Sequence, residues 1–412
     1  MGTTPERLWL RSAPLAASTL SLALVAACSA VAWRHDSTVL RQPGRPVGAN
    51  SWTWVFLGCL IAGYVAYVAG LALLRHRDVP LVPVAVLAVA IQLAPVAGPL
   101  MLSADAWVYW DYGRVAPIHD GNPYVDPPAH YRFDPAYRYV PDAWRATTSV
   151  YGPAFTLASE PIALAARSSA AAAAWLYKGL AALAVLAATA LAAWVARRRA
   201  FAVAFIGWNP LIAIHFGGGG HNDAAAIALV AGAIALERGR RPAGAGAAWA
   251  CAAAIKWLPL AFLPINYVVP RRRRLWAFSA GLLGAGAALA LVASLLYGSH
   301  WLNALGPIAH DATVGSKYAL PRRLEQLGVP SAASLAMVAV AFAVGYGWLL
   351  LEARRGRRRL GLAALIGLAA SPWLVPWYVV WAVVLAAAEE DRTAQLLVLS
   401  LCAYLLPQRV LI

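Results

Sequence analysis

Long apolar runs are the feature that most constrains how this chain folds. Hydrophobic residues make up 61% of its 412 residues, and a helix of roughly 17–25 apolar residues crosses a hydrocarbon core of about 30 Å. The runs do not alternate as the strands of an outer-membrane barrel do. We therefore predict an all-α polytopic membrane protein, with candidate membrane spans at 13–33, 51–74, 79–103, 172–196, 275–297 and 331–352.

Clusters of arginine set the expected topology. They stand at the ends of apolar runs, which is the distribution typical of cytoplasmic ends. The net charge of +16 is then a consequence of topology, and we expect no nucleic-acid partner. The clusters are Arg75/Arg77, Arg197–Arg199, Arg238/Arg240/Arg241, Arg271–Arg274 and Arg354/Arg355/Arg357–Arg359.

Three shorter apolar regions, 200–237, 243–269 and 360–388, are interrupted midway, and each begins near a cytoplasmic arginine cluster. Half-helices of about thirteen residues reach only about 20 Å, so we predict broken hairpins with their apices in the outer half of the membrane. Unwound backbone is tolerated there only inside protein or beside a wet cavity. The segment 151–167 is expected to be juxtamembrane or re-entrant. Together these segments form one integral-membrane domain, 1–412, of roughly 11–13 helices.

A polar island, 103–153, interrupts this apolar chain. It holds six of the eighteen acidic residues and seven of the sixteen tyrosines, and the arginine clusters place it on the outer face. Asp105, Tyr109 and Tyr112 follow at i, i+4 and i+7, so they share one face of a helix. Asp105 is either a helix N-cap, with Ser103 as a competing cap, or a catalytic base at the membrane boundary. Spacing alone leaves both interpretations open.

Two lysines in apolar surroundings have different expected roles. Lys178 lies near the start of a long helix, where snorkelling to the interface is expected. Lys256 lies in the middle of the interrupted region 243–269, where snorkelling is costly, so a functional role is favoured. The segment 217–223 reads Gly-Gly-Gly-Gly-His-Asn-Asp, and Asn222 or Asp223 is expected to cap the following helix.

The ordered motifs resemble a known family. The string S-x-D-x-x-x-Y-x-x-x-G-R begins at Ser103 and is followed by G-N-P-Y, D-P, W-R and S-x-Y-G-P. Later matches are W-N-P at 208–210, G-G-G-H-N-D at 218–223, A-A-I-K at 253–256 and S-P-W at 371–373. Over about 100–380 the chain resembles actinobacterial polyprenyl-phosphomannose-dependent α-1,6-mannosyltransferases, which belong to the GT-C class of integral-membrane glycosyltransferases.

The resemblance implies a sugar donor linked to polyprenyl phosphate, a glycan or glycolipid acceptor, and an active site on the outer face of the cytoplasmic membrane. Asp105 matches the family's catalytic acidic position, the general base for the acceptor hydroxyl, and inversion would give an α-glycoside. His221 is expected to assist Asp105 or to orient the acceptor. For the donor phosphate, which requires a cation, the candidates are Lys256, Arg114, Arg322 and Arg323.

Further candidates for substrate binding combine turn, aromatic and polar residues: Tyr109, Tyr112, Asn122, Tyr124, Tyr151, Asn222, Asp223 and Trp373. Asp105, His221 and Asp223 lack a metal-ligand spacing, so we expect neither a metal nor another cofactor. The outer loop 298–323, with His310 and Asp311, is expected either to gate the cavity or to bind the acceptor.

One alternative of another class is a lipid-linked-sugar flippase or secondary transporter, because broken helices and intramembrane charges also suit transport. A transporter should show paired halves, whereas the polar island occurs once. A non-catalytic envelope assembly protein is a third interpretation, and it predicts that Asp105 is dispensable.

Overall fold

The computed structural model describes residues 5–40, 42–44, 48–270, 272–306 and 315–410. Within these ranges the chain is helical, and none of their residues forms a β-strand. His310 and Asp311, which belong to the predicted outer loop 298–323, lie outside the described residues.

The helices fall into two groups in chain order. The first group comprises α1 Pro5–Ala32, α2 Ser51–Arg75, α3 Leu81–Leu93, α4 Asp105–His119, α5 Pro153–Ala166, α6 Ala170–Val195, α7 Arg199–Gly207, α8 Pro210–Phe216 and α9 Asp223–Arg238. The second group comprises α10 Pro242–Ile255, α11 Leu263–Tyr267, α12 Arg272–Tyr297, α13 Leu320–Gln326, α14 Ser331–Arg354, α15 Leu360–Ala370, α16 Val379–Glu389 and α17 Arg392–Leu405. Their number exceeds that of the predicted segments because the broken segments 200–237, 243–269 and 360–388 are divided into three, two and two helices.

Among the described residues, five helices are long and apolar enough to cross a membrane. They are Ser12–Ala32, Ser51–Arg75, Ala170–Val195, Arg274–Ala304 and Ser331–Arg354, and they match five of the six predicted spans. The protein is therefore a polytopic helical membrane protein. The segment 151–167 forms only the 14-residue helix α5.

The sixth predicted span, 79–103, is not one continuous helix. α3 ends at Leu93, a short 3-10 helix covers Ala94–Ala97, and the chain then leaves helical geometry until α4. Pro95 and Pro99 have no backbone N–H to donate to a continuing helix. The prediction of an unbroken span was wrong for this reason.

This break also explains why the expected snorkelling of Lys178 was wrong. The Lys178 side chain is fully buried, and its ammonium donates to the carbonyl oxygens of Val96, at 3.1 Å, and Gly98. The end of a helix leaves carbonyl groups without intrahelical partners. Lys178 supplies donors to these carbonyls and fixes the segment that leads into α4.

The interrupted regions contain the predicted breaks and one more. α10 ends at Ile255, and Lys256 is extended, with φ −147° and ψ 135°. The run after α15 breaks between Ser371 and Val375. An additional break separates α7 from α8, whose axes are bent by 54°. There Pro210 begins α8, and the Asn209 side chain accepts a hydrogen bond from the N–H of Leu211 at 3.0 Å.

α16 lies at the centre of the bundle. Its residues from Val379 to Leu385 are fully buried, and it packs against α6, α7, α9, α15 and α17. A helix that is hydrophobic all round is typical of such a buried position. By contrast, α12 and α14 expose large apolar side chains such as Leu283, Leu295 and Val344, as expected of surfaces that face lipid.

Glycines allow α10 and α12 to approach closely. A Cβ atom at Gly281 of α12 would lie 1.9 Å from the carbonyl oxygen of Ala243, and one at Gly246 of α10 would lie 2.0 Å from that of Phe278. Small residues at helix contacts have this effect in membranes, where close packing replaces a hydrophobic driving force.

We predict that Gly281→Ala destabilises the protein, because the new methyl group would collide with backbone that cannot rotate away. Overpacking of this kind costs about 1–3 kcal/mol. The apparent melting temperature in detergent, measured by size-exclusion chromatography after heating, should fall. Gly284→Ala on the same helix is the control, because a Cβ there meets nothing within 4 Å. Equal melting temperatures for the two variants would contradict the close contact.

Candidate active site

Asp105 is held at the N-terminus of α4 by two side chains. The Ser103 hydroxyl donates to Asp105 Oδ1 at 2.8 Å, and His221 Nδ1 lies 3.1 Å from Oδ2. The N-cap position is occupied by Ala104, so Asp105 is not the capping residue that one interpretation expected. Its side chain remains 27% exposed, and the positive end of the α4 dipole favours an anion there.

The Asp105 carboxyl is ionised in this setting. Burial by itself raises its pKa, but the hydrogen bond and electrostatic interaction with His221, the hydrogen bond of Ser103 and the charge of Arg409 lower the pKa to about 2. An ionised carboxylate only accepts hydrogen bonds, so the facing His221 Nδ1 carries the proton. Asp105 is thus an oriented anion with partial access to solvent.

His221 is positioned by the glycine-rich segment before α9. Gly220 has a left-handed φ of +73°, which glycine adopts without steric cost. The His221 ring is fully buried and stacks on Trp377, with centroids 3.8 Å apart and planes 13° apart. Its Nε2 has no hydrogen-bond partner among the described residues. The stack fixes the orientation of the imidazole that holds Asp105.

Asp223 and Lys256 form a second, buried pair. Lys256 Nζ lies 2.6 Å from Asp223 Oδ2, and Trp381 Nε1 donates to Asp223 Oδ1 at 2.7 Å. The Asp223 side chain is 1% exposed, whereas that of Lys256 is 19% exposed. The Lys256 ammonium also lies 4.7 Å from the centroid of the Tyr378 ring. The pair joins the start of α9, the break after α10 and the central helix α16.

The expected N-cap position of α9 is confirmed for Asn222, but no side chain caps the helix. Asn222 occupies the N-cap position without making a side-chain cap bond, and Asp223 is the first helical residue. The Asn222 Oδ1 lies 3.5 Å from the hydroxyl of Tyr109. The side chains of Asn222 and Asp223 therefore face the interior of the site.

The break after α15 brings aromatic residues to both pairs. A 3-10 helix, Pro376–Tyr378, places Trp377 beside His221 and Tyr378 beside Lys256. The guanidinium of Arg409, which follows α17, lies 5.3 Å from the Trp377 ring and 5.9 Å from the Trp373 ring. Arg409 is close enough to interact electrostatically with Asp105 and Tyr378.

Other predicted site residues lie elsewhere. Arg114 donates from Nε to both carboxylate oxygens of Asp134, at 2.9 and 3.0 Å, in a buried pair within the polar island. Arg322 is paired with Glu325. The structure does not bring these cations to Lys256. Arg323, in the same helix as Arg322, donates to the side chains of Tyr404 and Gln326.

Several predicted substrate-binding residues hold the polar island in place. The Tyr112 hydroxyl donates to the Thr147 carbonyl oxygen at 2.7 Å. Asn122 Nδ2 donates to the carbonyl oxygen of Tyr297 at 2.8 Å, which ties the island to the end of α12. The Tyr124 hydroxyl contacts the carbonyl oxygen of Tyr151 at 3.0 Å.

Tyr109 and Tyr151 are nearer to the two pairs. Their rings meet edge to face at 5.0 Å, and both pack against Phe155. Tyr109 is buried and Tyr151 is partly buried. They form an aromatic wall beside Asp105 and Asn222.

Sequence reasoning did not select Trp377, Tyr378, Trp381 or Arg409 as site residues. The aromatic residues stand in apolar runs, where core packing is their usual role. Arg409 could have been found from the sequence, because it is a single cation in an apolar C-terminal segment.

A separate cavity lies at the opposite end of α9. Its volume is about 270 Å³, and Glu237, Asn266 and Arg358 line it. Arg358 pairs with Glu237 at 2.7 Å and donates to Asn266 at 2.9 Å. These groups satisfy one another next to Arg238 and Arg274, which also line the cavity, so we assign them a structural role.

Within the described ranges, no group of three or more His, Cys, Asp or Glu side chains is placed to hold a metal ion. The expectation that no metal is required stays a prediction.

The fold and the site define a polytopic helical membrane protein with an ionised carboxylate beside a buried lysine. Residues 13–272 match the model of a family described as alpha-(1->6)-mannopyranosyltransferase, N-terminal domain. This match covers more than half of the chain, which therefore belongs to the alpha-(1->6)-mannopyranosyltransferase family and is a mannosyltransferase. No curated protein and no solved structure matches the chain.

We predict that Trp381→Phe destabilises the protein by removing the hydrogen bond to the buried Asp223 carboxylate. Hydrogen bonds to charged groups contribute about 1.5–3 kcal/mol. Trp249→Phe is the control, because Trp249 is also fully buried and its Nε1 has no partner among the described residues. Apparent melting temperatures should fall further for Trp381→Phe. Equal losses would show that only the smaller ring volume matters.

Proposed function

We propose that this mannosyltransferase transfers mannose from polyprenyl-phosphate-mannose to an envelope mannan or lipoglycan, forming an α-1,6 linkage with inversion. The observation that carries the proposal is the ionised Asp105, oriented by Ser103 and His221, close to a buried cation. A sugar hydroxyl is a poor nucleophile until its proton is removed, and a carboxylate can remove it. A phosphate leaving group needs a cation that stabilises the negative charge it gains.

In the proposed reaction, an acceptor hydroxyl loses its proton to Asp105 while its oxygen attacks the anomeric carbon. The bond from this carbon to the phosphate oxygen breaks, and polyprenyl phosphate leaves with the electron pair. Attack opposite the leaving group converts a β-linked donor into an α-linked product. Asp105 then returns its proton to water through its exposed side.

The low pKa of Asp105 has a consequence for this step. A carboxylate with a pKa of about 2 is always ionised near neutral pH but is a weak base. An anionic donor phosphate nearby disfavours the ionised carboxylate and so raises the pKa. The donor would thus increase the basicity of Asp105 when it binds.

Lys256 is suited to bind the donor phosphate. An ammonium has three N–H donors, and Asp223 accepts one of them. The pair fixes the direction of the ammonium, which would otherwise move with its flexible side chain. Because the side chain is 19% exposed, the remaining donors can reach a ligand.

The expected topology supports an outer location for the reaction. The arginine clusters at the ends of apolar runs support a cytoplasmic side opposite the polar island. We propose that Asp105 faces the outside of the cytoplasmic membrane, where a lipid-linked donor would be used without a nucleotide. The broken segments that reach the site support this arrangement, since non-helical backbone at membrane depth lines protein interior or a cavity.

We predict that Asp105→Asn lowers the turnover of mannosyl transfer by about 10²- to 10⁴-fold, the usual contribution of a positioned base. The assay is purified protein in lipid nanodiscs with radiolabelled polyprenyl-phosphate-mannose and an α-mannoside acceptor. Asp142→Asn is the control, since this island carboxylate is 89% exposed and pairs with Arg145. Wild-type turnover in a folded Asp105→Asn protein would refute the role of the base.

The same assay tests the metal prediction. Because Asp105 supplies the base and Lys256 supplies a cation, we expect activity to persist after treatment with EDTA. Re-addition of Mg²⁺, Mn²⁺ or Ca²⁺ should not increase the rate. A loss that one of these ions restores would establish a metal requirement.

A further inference from the structure

We propose that Arg409 and Lys256 form a two-cation clamp that holds the phosphate of the lipid-linked donor between them. This inference rests on the proposed function and extends it to the C-terminal segment, far beyond the residues 13–272 that match the family.

The two cations are adjacent to the same short segment. The Lys256 ammonium lies 4.7 Å from the ring centroid of Tyr378, and the Arg409 guanidinium lies 5.3 Å from that of Trp377, the preceding residue. The 3-10 helix Pro376–Tyr378 is therefore flanked by two positive charges.

The ionised groups of the site balance one another, so a bound phosphate cannot rely on one cation alone. Asp105 and Asp223 are balanced by Lys256 and Arg409, and Asp223 is already bound by Lys256 and Trp381. A donor phosphodiester adds one negative charge, and its departure as a phosphate monoester develops a second. A lysine held by a carboxylate neutralises this charge only in part, so a second cation is needed where the charge develops.

Arginine is suited to this second position. Its guanidinium presents N–H donors in a planar fork that matches phosphate oxygens, and it stacks on aromatic faces. Arg409 lies over Trp377 and Trp373 in this way. Arg409 and Asp105 are close enough to influence each other electrostatically, so a phosphate bound by Arg409 would share a cavity with the base.

The backbone holds Arg409 in an uncommon conformation. Its φ is +70°, in the left-handed region that residues other than glycine rarely adopt. The preceding Gln408 is buried and donates to the carbonyl oxygen of Leu374, at 2.8 Å, and to the hydroxyl of Ser316, at 2.9 Å. Such strain persists where the surrounding structure fixes it, often at ligand sites.

The test is donor binding and steady-state kinetics with Arg409→Gln, Arg409→Lys and Lys256→Met. We expect Arg409→Gln to raise the donor Kd, measured without acceptor, by about 10- to 100-fold, the range for losing a charge-assisted hydrogen bond. The Ki of polyprenyl phosphate should rise in parallel, while the KM for the acceptor stays unchanged. Arg409→Lys keeps the charge but loses the fork, so its donor Kd should be intermediate.

The double variant tests the clamp itself. If both cations bind one phosphate, the effects of Arg409→Gln and Lys256→Met on the donor Kd should not multiply independently. Arg138→Gln is the control, because it removes an exposed arginine of the polar island that donates to Tyr139; its donor Kd should equal that of the wild type.

Two outcomes would overturn the clamp: an unchanged donor Kd in a folded Arg409 variant, or a raised acceptor KM with normal donor binding. If Arg409→Gln does not fold, Arg409→Lys decides, and an unchanged Kd there excludes the bidentate contact. Failure of the proposed function differs, because the wild type would then not use polyprenyl-phosphate-mannose at all.

Discussion

The buried pair of Lys256 and Asp223 is the interaction on which the site depends. It joins three segments that are distant in sequence, the start of α9, the break after α10 and, through Trp381, the central helix α16. Removing one partner of a buried ion pair leaves an uncompensated charge, which is strongly destabilising. The pair therefore fixes how the broken segments meet, and it holds the cation that we propose as the phosphate ligand.

The pair of Asp105 and His221 depends on the same packing. His221 follows Gly220 and precedes α9, so the position of Asp223 also determines where the imidazole lies. Trp377 then stacks on His221, and His221 holds Asp105. His221 and Asp223, which are two residues apart in sequence, thus position the proposed base and the proposed phosphate cation. The base, Asp105, belongs to α4, and the cation, Lys256, lies at the break after α10.

The sequence was informative where a polar residue violates its apolar surroundings. Lys256 and the segment with His221 stood out for that reason, and the structure brings them together with Asp105. It was misleading where a cation can be satisfied locally. Lys178 binds carbonyl oxygens exposed by a helix break, and Arg114 binds Asp134. Neither partner could be read from spacing, because each contact joins segments twenty or more residues apart.

The sequence by itself determined the helical membrane class, five of the spans and the positions of most breaks, because these follow from the length of apolar runs and from proline, glycine and charge. It also pointed to Asp105 through motif resemblance and to Lys256 through its charge in the middle of an interrupted apolar segment. Only the tertiary structure decided which residues share the site. Trp377, Tyr378, Trp381 and Arg409 are ordinary members of apolar segments in sequence. They reach Asp105, Asp223 and Lys256 because α16 is buried at the centre of the bundle and the chain after α17 returns to its neighbourhood.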